Sequence, residues 1–375
     1  NSLRLHYNQF IQQLLGTAEK RAEAEEVIHE HFEFLKITLK ISFNEALSRD
    51  ILAQGELMST KLFTLLLQER NIEVQLLPAL EFMRTNEDHE PDLEYISKHL
   101  QAKIDQFANC GLFITQGYIC KNHKGEIDNL QRGGSDYTAS LVGAAIRADE
   151  VQIWTDIDGM HNNDPRVVDK TYPIAELSFD EAAELAYFGA KILHPASIWP
   201  AQKYGIPVKL LNTMQPEAKG TVISTSTISA DVKAVAAKDG ITAIKVKSTR
   251  MLLAYGFLRR IFEIFEKYKT PIDMITTSEV AVSVTIDHDE FLDKIVAELS
   301  QFGQVEVDKG QTIICIVGNF VAEQKGIVSN IFDALKDTPI RMISYGGSRH
   351  NISLLTDSTN KEHALKVLNQ HLFNL

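Results

Sequence analysis

The chain has 375 residues, more than a single hydrophobic core usually supports, so its length predicts two or three domains. A formal net charge of -12 argues against a non-specific nucleic-acid-binding protein, and three widely spaced cysteines argue against a disulfide framework. The sequence has no apolar run of the roughly 20 residues that a membrane span needs and no signal segment at its start. We therefore expect a cytoplasmic protein with free thiols.

Residues 1–70 are predicted to be helical, because apolar residues recur three and four positions apart without proline. A β-like run follows at residues 72–77. From residue 111 onward short apolar strands alternate with helices, which is typical of parallel α/β units. The expected strands are 112–115, 151–155, 206–211 and 221–224, and the expected helices are 135–147 and 178–189. The second helix begins with a capping-box pattern at Ser178.

The polar stretch 224–229 is predicted to be a linker. Beyond it, two successive units of βαββαβ type indicate an internal duplication at the level of pattern. The first unit comprises strands 241–246, 280–286 and 305–307 and helices 256–267 and 291–302. The second comprises strands 312–317 and 351–355 and helices 326–335 and 361–373.

The segment 131–138, Gln-Arg-Gly-Gly-Ser-Asp-Tyr-Thr, is the most informative. Paired glycines allow a ligand to approach the backbone closely, and a helix that begins at Ser135 or Asp136 directs free N–H groups towards an anion. Arg132 is suited to a bidentate grip on a carboxylate. Read alone, the segment equally fits a tight turn with Ser135 and Asp136 as helix caps.

Three further segments have candidate chemistry. Asp156 and Asp158 follow a buried strand and are suited to a magnesium–phosphate unit, and Arg166 is suited to a phosphate, although Asp-Gly and Asp-Pro are also common turn pairs. Lys191 either reaches phosphates or complements the end of a helix. Glu56 either pairs with a substrate ammonium group or is a solvated surface glutamate.

Taken together, these segments resemble aspartate kinases, and the resemblance spans nearly the whole chain. The matching segments stand in the family's order at 55–60, 83–86, 132–138, 154–156, 164–168, 188–195, 256–258 and 275–280. The likeness is to the monofunctional, lysine-sensitive type, since no homoserine dehydrogenase segment follows the second repeat.

The resemblance implies transfer of the γ-phosphoryl group of Mg-ATP to the side-chain carboxylate of L-aspartate, the first step of lysine, threonine and methionine biosynthesis. A carboxylate with an ordinary pKa of about 3.9 is already ionised at neutral pH, so no general base is needed. By this resemblance, Arg132 would contact a carboxylate group of aspartate, Glu56 would contact its ammonium group, and Ser135 would contact the substrate. Asp136 would be catalytic, by ordering the basic residue that acts on the phosphates. The implied ATP-binding residues are Thr155, Asp156, Arg166 and Lys191.

The implied fold is α/β: an amino-acid-kinase fold with three αβα layers and a mostly parallel sheet over residues 1–226, followed by two ACT-like βαββαβ domains. The first ACT domain would span 241–309, inserted into a second made of 232–240 and 310–375. An amino-acid effector, expected to be L-lysine, would bind at Met251, Gly256, Asp273, Thr277, Ser278 and Glu279. A homodimer through the ACT domains is expected, with a tetramer as the alternative.

The sequence departs from the family pattern at the N-terminal segment and at three single residues. The family begins with a strand and glycine loop that read approximately Lys-Phe-Gly-Gly-Thr-Ser and supply a catalytic lysine, and this segment does not occur here. We expect the natural protein to have it, and a polypeptide that lacked it to be inactive. His161 replaces a tyrosine near the nucleotide. Ala254 and Pro271 replace hydroxyl residues of the lysine-sensitive relatives, and each replacement removes a hydrogen-bond donor.

Two other functions compete with this prediction. One is another amino-acid or carbamate kinase of the same superfamily, against which the Glu56 segment and the paired repeats argue. The other is a non-catalytic amino-acid sensor that kept the fold and lost the phosphate loop.

Overall fold

A computed structural model describes residues 2–40, 44–131, 133–189, 193–225, 232–248 and 255–375. The chain divides into two compact units, one of residues 1–153 and 196–209 and the other of residues 154–195 and 210–375. Arg132, Lys191, Met251 and Ala254 lie outside the described residues, as does most of the expected linker. The units change over inside the expected kinase domain, so the division at residue 226 stays a prediction.

The helices predicted for residues 1–70 are present, and the strands expected at 72–77 and 112–115 are each shortened to two residues. In chain order the elements are α1 Ser2–Leu14, α2 Ala18–Thr38, α3 Glu45–Glu69, β1 Gln75–Leu76, α4 Leu93–Asp105, β2 Phe113–Ile114, β3 Ile119–Lys121, β4 Ile127–Asn129, α5 Gly134–Ile146 and β5 Val151–Thr155. The expected strand at 72–77 is reduced to β1, because Pro78 and a short 3-10 turn end it, and β1 pairs in parallel with β2. No helix in the described ranges is long and apolar enough to cross a bilayer.

Helices α1 to α3 pack through one apolar cluster, to which all three contribute: Ile11, Leu15, Ala24, Ile28, Met58 and Leu62. The turn between α1 and α2 is fastened by the carboxylate of Glu69. That carboxylate accepts hydrogen bonds from the N–H of Gly16 at 2.9 Å and from the N–H and hydroxyl of Thr17 at 2.7 and 2.6 Å. These bonds, that from Gly16 foremost, lower the pKa of Glu69 to about 2.

A second core in the same unit joins α3, α4 and α5 to β3. Its buried members include Phe82, Met83, Ile96, Leu100, Ile119 and Leu141. Because α3 and α5 pack on this core, it positions both Glu56, on α3, and the glycine turn that begins α5.

The remaining elements include the strands of two sheets, one of which also contains β5. They are β6 Glu176–Ser178, α6 Phe179–Tyr187, α7 Trp199–Tyr204, β7 Val208–Asn212, β8 Thr221–Ser224, β9 Val232–Lys247, α8 Phe257–Lys267, β10 Ile275–Thr277, β11 Ala281–Ile286, α9 Leu292–Leu299, β12 Gln304–Gly318, α10 Ile327–Ala334, β13 Met342–Ser344, β14 Asn351–Asp357 and α11 Lys361–Phe373. A four-stranded sheet has the order β5-β7-β8-β6, with β6 parallel to β8. The capping box predicted at Ser178 is confirmed, with both reciprocal bonds to Glu181.

An antiparallel sheet of six strands has the order β10-β11-β9-β12-β14-β13. Its two central strands, β9 and β12, run through both expected ACT boundaries. At those boundaries Gly240 and Gly310 have φ of 78° and 70°, a left-handed conformation that glycine adopts without steric penalty. The two expected repeats therefore share two continuous strands, with a register shift between Asp308 and Gln311.

Each half of this sheet has its own helix pair and core. Helices α8 and α9 bury Phe257, Ile261, Phe265, Leu292 and Ile295 against β9 and β11. Helices α10 and α11 bury a matching set against β12 and β14, namely Ile327, Ile331, Leu365 and Leu368. This is the repeated strand–helix pattern that the sequence predicts.

Candidate active site

The glycine turn before α5 has an unusual backbone. Gly133 caps the helix with φ 71°, and Gln131 is also left-handed, with φ 61°. At Gly134 a Cβ atom would lie 2.8 Å from the Tyr118 ring and 3.2 Å from the Tyr118 Cα, so only glycine fits there. The turn is thus shaped by close packing on the segment around Tyr118 as well as by helix capping.

Ser135 and Asp136 lie in the first turn of α5, where the sequence predicts them. Ser135 is exposed, whereas Asp136 is half-buried, and burial raises the pKa of its carboxyl group. Backbone N–H groups of a first helical turn have no partner within the helix, which makes this turn a suitable place for an anion. Gly117 contacts Ser135 so closely that a Cβ atom there would be 3.0 Å from the Ser135 Cβ and Oγ.

Gln116, which the sequence analysis missed, connects this turn to Glu56. Its side chain is buried, accepts a hydrogen bond from the N–H of Ala79 at 2.8 Å and donates one to the hydroxyl of Thr60 at 2.7 Å. That hydroxyl donates to the carbonyl oxygen of Glu56, one helical turn earlier, at 2.8 Å. One amide side chain therefore ties the Glu56 turn of α3 to the strand end that packs on Ser135.

Glu56 is half-buried on α3, and burial raises the pKa of its carboxyl group. A carboxylate in this setting is poorly solvated, so a bound ammonium group would stabilise its charged form. The structure therefore gives Glu56 a chemical character that an ordinary surface glutamate lacks.

The loop that follows β5 carries the expected nucleotide residues and is anchored on β8. The hydroxyl of Thr155 accepts a hydrogen bond from the N–H of Ile157 at 2.9 Å, and Asp156 is exposed. Gly159 has φ 121°, and a Cβ atom there would lie 2.5 Å from the hydroxyl of Thr221 on β8. This loop is therefore held at the carboxyl end of its strand, the usual position for a ligand in α/β proteins.

His161 and Arg166 both have carboxylate partners in this loop. The Nε2 atom of His161 is 2.7 Å from Asp158, and its Nδ1 atom is 3.0 Å from the hydroxyl of Thr171. Arg166 binds Asp164 with two nitrogens, Nε at 2.9 Å and Nη2 at 2.8 Å, and these bonds hold the pKa of Asp164 below its usual range. The Arg166 guanidinium is nevertheless well exposed and can meet an anion on its open side.

Two consecutive asparagines fix the same loop to the last helix, and the sequence analysis did not single them out. The buried side-chain amides of Asn162 and Asn163 donate to the Oδ1 atom of Asn369 at 3.1 and 3.3 Å. Asn369, on α11, in turn donates to the carbonyl oxygen of Lys170 at 3.0 Å. The carbonyl oxygen of Asn162 also accepts from the N–H of Val235 on β9 at 2.8 Å.

A cavity of about 350 Å³ opens between this loop, α6 and β9. Its lining consists of Ile157, His161, Asn163, Asp164, Pro165, Arg166, Leu185, Gly189, Val235, Ala236 and Ala237. Gly189 has φ 137° and lies directly on β9, where a Cβ atom would be 2.2 Å from the carbonyl oxygen of Ala237. Lys191, also expected at the nucleotide, comes two residues after Gly189, outside the described residues.

The expected effector residues are distributed over two elements of the second unit. Gly256 caps α8 with φ 78°, while Thr277, Ser278 and Glu279 are exposed at the turn that joins β10 to β11. Asp273, by contrast, has a side chain only 2% exposed, and Lys238 and Tyr187 already contact it. The structure therefore does not leave Asp273 as an open loop carboxylate.

Comparisons with known proteins identify the family. The profile of the amino acid kinase family matches residues 6–212, and an ACT domain profile matches residues 314–372. The lysine-sensitive aspartokinase 3 of Escherichia coli is 37% identical over 94% of this chain and 81% of its own length. The chloroplastic aspartokinase 3 of Arabidopsis thaliana is 36% identical over 96% of this chain and 68% of its own length.

Two crystal structures of E. coli aspartokinase III have the same fold as this chain. The R-state structure, in complex with aspartate and ADP, has a TM-score of 0.83 and 35% identity, covering 97% of this chain and 84% of that one. The T-state structure, in complex with lysine and aspartate, has a TM-score of 0.78 and 36% identity, covering 94% and 81% respectively. The chain therefore belongs to the aspartokinases, within the amino acid kinase family.

Proposed function

We propose that this protein transfers the γ-phosphoryl group of MgATP to the side-chain carboxylate of L-aspartate, giving 4-phospho-L-aspartate. Membership of the aspartokinases supports the reaction. The location of the aspartate site is supported by the hydrogen bonds of the Gln116 side chain. They join the helical turn that contains Glu56 to the segment that packs on Ser135.

Aspartate would bind at the glycine turn through charges of opposite sign. Glu56 pairs with its ammonium group and Arg132 with a carboxylate, while Ser135 and the first-turn N–H groups of α5 contact the anionic end. Asp136 orients the basic residue that acts on the phosphates. Because the nucleophile is ionised at neutral pH, these residues accelerate the reaction by alignment and charge stabilisation.

The nucleotide would bind at the loop after β5. The cavity of about 350 Å³ beside Arg166 falls in the usual size range of ligand pockets, roughly 300–1,000 Å³, and supports this assignment. Thr155 and Asp156 lie at the strand end, and Arg166 and Lys191 contact phosphates as cations. The carboxylates of Asp156 and Asp158 are of the kind that contacts a magnesium ion carried by the nucleotide.

Regulation would be feedback inhibition by L-lysine at Met251, Gly256, Asp273, Thr277, Ser278 and Glu279. The name of the E. coli relative, lysine-sensitive, supports the effector assignment. We further propose a cytoplasmic homodimer, associated through the ACT domains. Glu279→Ala should relieve inhibition by lysine, and inhibition by threonine or methionine alone would contradict the effector assignment.

The aspartate site is tested by Arg132→Ala in the full-length natural protein. We expect a strongly raised KM for aspartate with ATP binding retained, because only the carboxylate grip is removed. Steady-state kinetics with each substrate varied in turn, together with ATP titration by calorimetry, measure both quantities. Unchanged aspartate kinetics would remove Arg132 from the site.

A further inference from the structure

The hairpin of β3 and β4 ends directly before the glycine turn, and its last residue, Asn129, bonds to the backbone of that turn. The side-chain oxygen of Asn129 accepts a hydrogen bond from the N–H of Gln131 at 3.0 Å. The carbonyl oxygen of Gln131 accepts from the N–H of Gly134 at 3.1 Å. Both backbone polar groups of Gln131 are therefore bonded, one to the hairpin and the other to the start of α5.

The backbone of Gln131 is left-handed, with φ 61°, and this conformation needs support. It is unfavourable for a residue that has a Cβ atom, and it persists where the surrounding structure enforces it. The side chain of Gln131 is exposed, so its packing supplies little of that constraint. The bonds to Asn129 and Gly134 supply it instead, and the residue that follows Gln131 is Arg132, the proposed contact for a carboxylate group of aspartate.

An ion pair behind Asn129 joins the hairpin to α3. Asp128 is buried, and its Oδ1 atom accepts a hydrogen bond from the N–H of Asn129 at 2.8 Å. Its Oδ2 atom lies 3.4 Å from the Nη1 atom of Arg49, which is on α3, and 3.8 Å from the Nδ1 atom of the exposed His89. Because a buried carboxylate that loses its cation is strongly destabilised, the pair with Arg49 fixes the end of β4 on α3.

Arg49 and Glu56 stand seven positions apart on α3, which puts them on the same side of the helix, two turns apart. Glu56 is the proposed contact for the ammonium group of aspartate. The helix that carries this contact is thus connected through Arg49, Asp128 and Asn129 to the backbone before Arg132. This connection is separate from the bonds of Gln116, which reach the segment packed on Ser135.

We propose that Asn129 is a positioning residue for the aspartate site and that the Arg49–Asp128 pair holds Asn129 in place. The side-chain oxygen of Asn129 keeps Gln131 left-handed and so fixes the backbone from which Arg132 follows. Without that oxygen, residue 131 relaxes towards the right-handed or extended conformations that glutamine prefers, and aspartate binds more weakly. The inference rests on the proposed function, since it takes Arg132 as the contact for aspartate.

Steady-state kinetics of Asn129→Ala in the full-length protein measure this role. We expect the KM for aspartate to rise about tenfold while kcat and the KM for ATP stay near the natural values, because only substrate binding is weakened. Asn122→Ala is the matched control at the opposite end of the same hairpin, where the Asn122 side-chain oxygen accepts from the N–H groups of Lys124 and Glu126, both at 3.0 Å. Both variants should lower the melting temperature, but only the first should change the KM for aspartate. Equal aspartate KM values in the two variants would overturn the proposal.

Substitutions of the exposed Gln131 give a second test that removes no buried contact. Gln131→Val introduces a β-branched side chain, for which a left-handed backbone is least favourable, and should raise the KM for aspartate without changing kcat. Gln131→Asn and Gln131→Gly should keep the natural KM, because asparagine and glycine tolerate this conformation. Gln131→Gly combined with Asn129→Ala should bring the raised KM most of the way back to the natural value. A natural KM in Gln131→Val, or no such recovery in the double variant, would contradict the proposal.

The ion pair has its own set of variants. Arg49→Gln leaves Asp128 buried without its cation and should raise the KM for aspartate, whereas Arg49→Lys keeps the charge and should raise it less. Asp128→Asn in the Arg49→Gln background should lower the KM again, because no buried charge is left unpaired and the amide oxygen still accepts from the N–H of Asn129. A double variant with a higher KM than Arg49→Gln would refute the role of the pair.

Failure of this inference can be distinguished from failure of the proposed function. A natural protein without aspartate-dependent release of ADP contradicts the proposed function. Calorimetric titration with L-aspartate then still tests the inference, because Asn129→Ala should bind aspartate about tenfold more weakly than Asn122→Ala. An active kinase in which these two variants have the same KM for aspartate contradicts only the inference.

Discussion

Gln116 donates a hydrogen bond of 2.7 Å to the hydroxyl of Thr60, which in turn donates to the carbonyl oxygen of Glu56. These two bonds connect the strand end beside Ser135 to the helical turn that contains Glu56. The two candidate contacts for aspartate are 79 positions apart in the chain, at 56 and 135. In addition to the core on which α3 and α5 both pack, one buried side-chain contact between distant segments therefore links the two positions.

Thr60→Val tests this tie, because valine keeps the shape and removes the hydroxyl. We expect the KM for aspartate to rise about tenfold, since Gln116 loses a partner and the Glu56 turn is released. The matched control is Thr64→Val, one turn later on α3, where the hydroxyl donates only to the carbonyl oxygen of Thr60. Both variants should lose roughly 1 kcal/mol of unfolding free energy, but only the first should change KM. Equal kinetics in the two variants would contradict the tie.

Glu56→Gln should separate function from stability. Burial raises the pKa of Glu56 above its ordinary 4.5, so the folded state favours the protonated form, and the carboxylate destabilises the fold at neutral pH. We expect glutamine to raise the melting temperature at pH 7 while it strongly raises the KM for aspartate. In the natural protein, the KM for aspartate should rise as the pH falls, and the rise should begin above pH 4.5. The reason is that the contact with the ammonium group needs the ionised carboxylate of Glu56, whose pKa is raised above that value. A variant of lower stability with normal KM would refute both parts.

Asn369→Ala should impair the nucleotide loop from a distance. It removes the shared acceptor of Asn162 and Asn163 and leaves the buried Asn162 amide without its partner, at roughly 1–3 kcal/mol, while the Asn163 amide keeps its bond to the carbonyl oxygen of Leu365. We expect a raised KM for ATP, an unchanged KM for aspartate and a lower melting temperature. Gln370→Ala, at the next and exposed position of α11, is the control and should behave as the natural protein does. A variant that loses stability without any change in the KM for ATP would show that the asparagines serve the fold alone.

Glu69→Gln should weaken the fold in a pH-dependent way. The pKa of Glu69 is lowered to about 2, so its contribution to stability is present above the ordinary value of 4.5 and is lost as the pH falls through about 2. The variant should unfold at lower urea concentration than the natural protein at pH 7, and the difference should shrink between pH 5 and pH 2. Glu73→Gln, which alters an exposed carboxylate nearby in the chain, should show no such convergence. A constant difference across this pH range would contradict the role assigned to the Gly16 and Thr17 bonds.

Local features were predictable from sequence because their causes lie within a few residues. The bounds of β5, β8 and α11 and the capping box at Ser178 all follow from apolar spacing and end signals, and the structure confirms them. The contact between Asn163 and Asn369, which lie 206 positions apart, produces no periodic pattern in the sequence, and neither does the contact between Lys238 and Asp273. The burial of Glu56, and the contacts of Lys238 and Tyr187 with Asp273, likewise arise from tertiary packing. The sequence could therefore identify Glu56 and Asp273 as candidates but could not predict their surroundings.

The function proposed for this chain is that of a lysine-regulated aspartate kinase. A coupled assay of ADP release from the full-length protein, with aspartate as acceptor and with and without L-lysine, tests it most directly. We expect release that depends on aspartate, is lost with other amino acids and is inhibited by lysine. Lysine binding without any aspartate-dependent release would contradict it and would indicate an amino-acid sensor instead.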